Sequence, residues 1–454
     1  MNIMIVGAGK VGTQLTRQLS KEGHNVTVVD TNPEIVDNIV NIYDVIGVCG
    51  SGAIYDIQKE ADAEHMDLMI ATSPSDEINI LACQVAKKLG VTHTIARVRN
   101  PEYEKQLRFM REDLGLTMSI NPEKSVAHEI SRVLRFPSAV KVETFSRGRM
   151  DLVQYKISEK DGLDGISLAK LGSQKNVRVL ICAVTRGEET FIPSGDYVLK
   201  NGDTIFVTAS PKHLEDFFRK MGVYRRRAHT VMIVGASKMS YYLANELTTM
   251  GMSVKIIDVN QTRCEWMSEM LPKALVIHGD GTDTELLREE NIESVDAFVA
   301  LTGMDEANIL MCMSAASMTE CKYIAKINRP ALQQFVLQKN MIDTVVATGS
   351  IVTEKILQYI RGIENASGTR IRALHRIADN RAEALEFAVP RDFEYADKPL
   401  AELSIKSGVL VAGIVREDGN IVTPTGADML HGDDDVIIVT TDTSLRDLRD
   451  IFVS

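Results

Sequence analysis

"MIVGAGKVGTQLTRQLSKEGHNVTVVD" spans Met4–Asp30, and its reading decides the fold. Gly7, Gly9 and Gly12 stand in G-x-G-x-x-G spacing, and an acid, Asp30, follows 18 positions after the last glycine. A β-branched run precedes the glycines and an amphipathic stretch follows, the strand–turn–helix order in which this motif holds a dinucleotide. Gly7 permits the tight turn, Gly9 lets backbone approach a pyrophosphate, and Gly12 lets the helix pack closely on the sheet. The phosphates then rest on unpaired N–H groups at the positive end of a helix. Asp30, ending the second strand, can accept hydrogen bonds from ribose hydroxyls. Thr31, Asn32 and Pro33 follow it, with no Arg or Lys to neutralise a 2′-phosphate, so NAD(H) is expected over NADP(H). The motif leaves the occupant open, because ADP, ATP and S-adenosylmethionine also present an adenosine with a charged group beyond it.

The chain is written twice. At an offset of 228, Met4–Asp30 falls on "MIVGASKMSYYLANELTTMGMSVKIID", Met232–Asp258. At 229, "SDEINIL" (Ser75–Leu81) meets "MDEANIL" (Met304–Leu310), and "IARVRNP" (Ile95–Pro101) meets "IAKINRP" (Ile324–Pro330). Near the ends, "PSGDYVLKNGD" (Pro193–Asp203) meets "PTGADMLHGDD" (Pro424–Asp434) at 231. So many matches at nearly constant offset mean tandem duplication.

Each copy has two parts. The first alternates β-branched runs (Ile3–Val6, Val26–Val29, Val45–Val48, Leu68–Thr72, Thr94–Val98) with amphipathic segments such as Val11–Lys21 and Asp76–Leu89. Buried runs separated by helices indicate a parallel sheet covered on both faces. After a helical stretch, Pro122–Arg135, short strands with turn signals follow: Arg149–Ile157, Arg178–Thr185, Thr190–Ile192 and Asp203–Thr208. The expected class is α/β: two tandem Rossmann-like, doubly wound parallel-sheet domains, each followed by a small α+β lobe. The expected boundaries are 1–138, 139–222, 230–365 and 366–454. Arg225, Arg226 and Arg227 read as part of a solvated connector between the copies.

Other stretches bear on the same pocket. Thr72 and Ser73 end the fourth strand, on the ligand side of such a sheet, and Asp76 and Glu77 open the next helix, where acids commonly complement the dipole. Arg97 ends the fifth strand, within reach of a phosphate or of a surface ion pair; copy two offers Lys326. Copy two keeps Gly235 and Asp258 but carries Ser237 and Ser240 for the second and third glycines. A Cβ at Ser237 crowds a pyrophosphate, and one at Ser240 pushes the helix outward, so the second site is expected to be vestigial, weak or altered. Met311, Met313 and Met318 read as core or subunit contacts.

Composition excludes several classes. A net charge of −11 over 454 residues argues against a nucleic-acid footprint. No apolar run approaches the ~20 residues that span a bilayer. The six scattered cysteines form no C-x-x-C and read as small buried hydrophobes in a reducing compartment, without zinc or a disulfide framework. A dehydrogenase needs a second domain supplying an acid, base or oxyanion stabiliser. Here each nucleotide unit is followed only by about 80 residues, themselves duplicated, and the nine histidines form no local constellation. No metal site and no catalytic residues are expected. An oxidoreductase or an S-adenosylmethionine-dependent enzyme is the alternative.

The G-A-G-K-V-G start, Asp30, "SDEINILACQVAKKLG", "IARVRNP" and the tandem layout resemble the family of regulators of potassium conductance, the RCK or KTN domains, over essentially the full chain. The resemblance implies a cytoplasmic subunit, peripheral to the cell membrane, that binds NAD(H) and often ATP or ADP. It implies no enzyme activity, a homo-oligomer (dimer or tetramer) assembled in a ring, and a membrane-embedded Trk-type potassium transporter subunit as partner. It places nucleotide contacts on Gly7, Ala8, Gly9, Lys10 and Val11, on Asp30, on Ser73 with Pro74, and on Arg97.

Overall fold

The computed structural model describes residues 1–110, 113–135, 140–146, 149–175, 178–222, 228–339, 341–364, 369 and 371–453. The connector arginines 225–227 and the boundaries expected at 138/139 and 365/366 lie outside the described residues. Contacts divide the chain into two compact units, Met1–Ile130 with Thr230–Thr353, and Ser131–His229 with Glu354–Ser454.

The first unit holds two parallel sheets. Strands β1 (Asn2–Val6), β2 (Asn25–Asp30), β3 (Ile46–Cys49), β4 (Leu68–Ala71), β5 (His93–Arg97) and β6 (Met118–Ile120) run in the order β3-β2-β1-β4-β5-β6. Helices α1 (Lys10–Lys21), α2 (Pro33–Ile42), α3 (Tyr55–Glu60), α4 (Asp76–Lys88), α5 (Pro101–Met110) and α6 (Pro122–Arg135) connect them or follow. The order reverses between β1 and β4, so the crevice for a ligand opens at the carboxyl ends of these two strands. Helix α1 forms because Val11, Gly12, Leu15, Thr16 and Leu19 recur at helical spacing and are buried. Full burial of Leu15 and Leu19 stabilises that packing by about 1.5–3 kcal/mol each.

Copy two repeats the plan. Numbered after the five strands of the other unit, β12 (Thr230–Val234), β13 (Ser253–Asp258), β14 (Leu275–His278), β15 (Ala297–Ala300), β16 (Lys322–Lys326) and β17 (Thr344–Val346) run β14-β13-β12-β15-β16-β17. The two parallel-sheet domains meet about a pseudo-two-fold. Gln14 Nε2 donates to Ser350 Oγ at 3.3 Å, and Asn121 Nδ2 donates to Tyr242 Oη at 2.8 Å. An offset of 228 carries Gln14 onto Tyr242 and one of 229 carries Asn121 onto Ser350, so both bonds are one contact made from either side.

The second unit holds two antiparallel sheets. The first contains β7 (Lys141–Phe145), β8 (Met150–Lys156), β9 (Leu180–Arg186), β10 (Glu189–Phe191) and β11 (Thr204–Ala209), ordered β10-β9-β11-β8-β7. The second contains β18 (Ile371–Ile377), β19 (Ala382–Ala388), β20 (Val409–Val415), β21 (Ile421–Val422) and β22 (Asp435–Thr440), ordered β18-β19-β22-β20-β21, the same topology. Phe145, Met150, Leu152 and Phe206 share one apolar core with Ile377, Ala384, Ile437 and Val439. An offset of 232 carries β8 onto β19 and Glu143 onto His375, whose Nδ1 lies 2.7 Å from the Glu143 carboxylate. This pair joins one position to its own counterpart, at the pseudo-two-fold of this unit. No described helix is long and apolar enough to cross a membrane.

Burial pushes the Glu143 carboxyl up, but His375, Lys141 and Arg132 outweigh burial and hold it well below the usual carboxylate range. A carboxylate depressed in the folded state contributes stability that is fully present above its unfolded value, about 4.3, and is lost as pH falls through the folded value. Glu143→Gln should therefore weaken the protein at neutral pH and flatten its loss of stability on acidification below about pH 4.5. Urea midpoints taken at stepped pH check this; parallel curves for the two proteins would contradict it.

Candidate functional site

Three glycines shape the mouth of the first sheet. Gly7 has φ +93°, and a Cβ on it would lie 2.6 Å from the Ser73 backbone nitrogen. A Cβ on Gly12 would lie 1.9 Å from the Gly7 carbonyl oxygen, so α1 packs against β1 only with glycine there. Gly9 differs: a Cβ built on it meets no atom within 4 Å. It is also the N-cap of α1, with no side chain to bond the first-turn amides. An uncapped helix start with room before it is what an anion-binding turn requires.

Asp30 secures this turn. Its Oδ2 accepts from the Ala8 N–H at 2.6 Å and its Oδ1 from the Asn32 N–H at 2.9 Å. Each carboxylate oxygen keeps a second acceptor direction for a ribose hydroxyl. Thr72 donates through Oγ1 to the Gly7 carbonyl at 2.8 Å, tying the end of β4 to the same turn.

A residue that sequence reasoning passed over organises the rest. Asn79 is fully buried; its Oδ1 accepts from the Ser73 N–H at 2.8 Å, and its Nδ2 donates to the Ser73 and Arg97 carbonyls at 3.0 and 2.9 Å. Asn308 makes the matching bonds to Thr302 and Lys326. The signal was the asparagine shared by "SDEINIL" and "MDEANIL". Asn79 thereby brings Ser73, Pro74 behind it and Arg97 to one end of the sheet. Arg97 donates through Nη1 to the Thr72 carbonyl at 3.3 Å, while its Nε is buried without an acceptor. A buried, unpaired guanidinium N–H fits a site built for an anion.

Asp76 opens α4 but does not cap it. Ser75 caps, accepting from the Ile78 N–H at 3.2 Å, whereas Asp76 Oδ2 accepts from the Arg99 and Asn100 N–H groups at 2.9 and 2.8 Å. In copy two, burial pulls the Lys326 pKa down, and Lys10 and Arg99 of copy one add to the effect against Asp305 and Glu123. Lys10 thus lies among the charges that the second site feels.

The second turn closes on itself. Asp258 repeats the Asp30 geometry, accepting from Ala236 and Asn260 N–H groups at 2.6 and 2.8 Å. Ser237 caps its helix, Lys238–Thr249, by accepting from the Ser240 N–H at 3.2 Å. Ser240 is fully buried and donates through Oγ to the Gly235 carbonyl, so the contact that would clash in copy one becomes a hydrogen bond. The helix is 12 residues long in both copies.

Other expected features fall as follows. Five cysteines are buried, but Cys49 is exposed, because β3 is the edge strand of its sheet. Met311 is buried, Met318 packs on the same core, and Met313 is exposed. Among the described residues His375 does join a pair of carboxylates: ligand atoms of Glu143, Glu354 and His375 lie within 4.8 Å of one another. Lys141 Nζ sits 2.7 Å from Glu143 and 3.7 Å from Glu354, and Arg132 Nη1 lies 3.8 Å from Glu143, so fixed cations already offset these acids.

Asn79→Ala leaves the Ser73 N–H and two carbonyls without their buried partner, at about 1–3 kcal/mol for each group left unpaired. A clear fall in the melting temperature of the full chain is expected, matched by Asn308→Ala; calorimetric melts unchanged in both would refute the clamp.

Comparison with known proteins agrees with this architecture. The TrkA-N domain family matches residues 3–122 and 231–348, and the TrkA-C domain family matches 152–222 and 384–453. The Trk system potassium uptake protein TrkA homolog 2 of Methanosarcina mazei is 30% identical over the whole of both chains. The Trk system potassium uptake protein TrkA of Halomonas elongata is also 30% identical, over all of this chain and 98% of its own. Among solved structures, the GsuK channel superposes with a TM-score of 0.64 at 18% identity, covering 97% of this chain and 77% of its own, a likeness of fold. With both halves of each copy matched in order and full-length relatives at this identity, the chain belongs to the TrkA family of Trk system potassium uptake proteins.

Proposed function

We propose that this chain is the nucleotide-sensing regulatory subunit of a Trk-type potassium uptake system. It binds NAD(H) at the first glycine turn, with ATP or ADP as competing occupants, and gates a separate membrane-embedded subunit through a conformational change of an oligomeric ring. It works without catalysis, in the cytoplasm, held peripherally at the membrane by its partner. The four lobes 1–138, 139–222, 230–365 and 366–454 are its working parts.

The observation that carries this reading is the uncapped start of α1 facing open space at Gly9, flanked by Asp30 and by the unpaired Nε of Arg97. Gly7, Ala8, Lys10, Val11, Gly12, Thr72, Ser73 and Pro74 complete the pocket wall; Gly235 and Asp258 mark its counterpart. The names of the relatives support the potassium system, and a structure of this fold is described as the GsuK channel bound to NAD. NAD(H) would supply adenosine, ribose and pyrophosphate groups for these residues to hold. Self-assembly is supported by Leu81 on α4 and Leu310, which an offset of 229 relates and which are 46% and 64% exposed.

Each ribose bond to Asp30 is charge-assisted and contributes roughly 1.5–3 kcal/mol. Asp30→Ala should thus weaken NADH binding at least tenfold, whereas Asp258→Ala in the same full chain leaves the tight site untouched. Calorimetry on both variants separates the copies; equal losses would refute the asymmetry, and no loss from Asp30→Ala would refute the assignment. An S-adenosylmethionine enzyme would instead bind that ligand in a panel with NADH and ADP.

The gating reading predicts a dimer or tetramer whose subunit arrangement differs between NADH and ATP. Small-angle scattering that fits one rigid monomer with either nucleotide and with none would overturn it.

A further inference from the structure

Gln58 lies on α3 and is wholly buried. Its Nε2 donates to the Gly52 carbonyl at 2.6 Å and to the Ala82 carbonyl at 2.9 Å, while its Oε1 is buried without a partner. Both close acceptors are carbonyl oxygens, so the orientation of the amide follows from them. Such an arrangement is costly, because an unpaired buried carbonyl loses its hydration without return.

The fold does not ask for it. An offset of 229 carries Gln58 onto Leu287, which is equally buried and packs into the core of copy two. Leucine fills this place in the copy whose turn is self-capped by Ser237. The amide occurs in the copy whose turn is open.

What Gln58 holds lies beside the first turn, in a segment that copy two builds with the same contacts but without the amide. There a Cβ on Gly281 would come 2.3 Å from Val234 Cγ1, and the Gly279 N–H donates to the Asp258 carbonyl at 3.0 Å. Gly52 is pressed against the end of β1, where a Cβ would come 2.3 Å from Val6 Cγ1. The Gly50 N–H donates to the Asp30 carbonyl at 2.9 Å. The segment Gly50–Gly52 therefore borders both the acid at the end of β2 and the strand that leads into Gly7. Ala82 lies in α4, whose first turns carry Ser75, Asp76 and the Asn79 clamp. We infer that Gln58 is a positioning residue for the first nucleotide site, pinning the Gly50–Gly52 wall of the pocket to α4. This rests on the nucleotide-binding function proposed above.

The test uses the full chain with Gln58→Leu and with the near-isosteric Gln58→Met. Two quantities are read: NADH affinity by calorimetry, and amide hydrogen exchange of residues 50–54 without ligand. Loss of the two donated bonds should weaken NADH binding about fivefold and speed exchange in that segment. The ligand-free melting temperature should hold or rise, since leucine is what copy two tolerates. An amide that only supports the fold would lower the melting temperature and leave affinity alone. Affinity within twofold of the unaltered chain in both variants, unchanged exchange, or failure of both variants to fold would each overturn the inference. If the unaltered chain binds no NADH, the nucleotide reading fails instead, and the exchange measurement alone decides the role of Gln58.

Discussion

The carbonyl oxygen of Gly7 occupies the place where a side chain at residue 12 would stand. That contact packs the start of α1 against the end of β1, and Thr72 Oγ1 donates to the same oxygen. Asp30 can then reach the Ala8 N–H from the neighbouring strand. The helix end stays without a side-chain cap because Gly9 has no side chain to offer, which leaves its first-turn N–H groups to an anion or to water.

Duplication supplies an internal control for these arguments. The two copies share sheet order, the Asn79 and Asn308 clamps and the acid at the end of the second strand. What both copies keep belongs to the fold. They part at the helix start, where Ser237 accepts from the Ser240 N–H and Ser240 donates to the Gly235 carbonyl, and at the third helix, where leucine replaces Gln58. Such differences mark what one copy does beyond folding. The same duplication pairs the domains about pseudo-two-fold axes, where Gln14–Ser350 and Asn121–Tyr242 repeat one contact and Glu143 meets its own counterpart, His375.

Most of the parallel sheets was legible because a strand buried on both faces is a run of apolar residues, and β1, β2 and β4 hold such runs. Strand β6, three residues long with a methionine and a serine, carries too little pattern to stand out. The small lobes were legible only in outline, since their strands are short and their register depends on partners far along the chain. The glycine turn and Asp30 were readable from spacing alone. Asn79, Gln58 and the true bonds of Asp76 were not, because a buried amide or carboxylate is defined by which backbone groups surround it. Cys49 misled for a related reason: burial of a small residue at a strand end depends on whether that strand is at the edge, which only the assembled order β3-β2-β1 reveals.

A ligand controls a partner only through the difference in its affinity between two conformations, typically ~1–3 kcal/mol per coupled site. One such site shifts an equilibrium about five- to 150-fold, too little to carry a balance from nearly shut to nearly open. Equivalent sites in a symmetric assembly add their contributions, so several weak biases act as one strong one. This chain keeps one open turn and one self-capped turn, each at the carboxyl ends of its own strands within a single unit. The self-capped copy bonds its helix start through Ser237 without a ligand. The open copy has no such side-chain cap, and the nucleotide proposed above would supply the missing partner. The two copies are paired about a pseudo-two-fold, with Lys10 of one among the charges felt by Lys326 of the other, so under the function proposed above occupancy of the open turn would be read against the self-capped one.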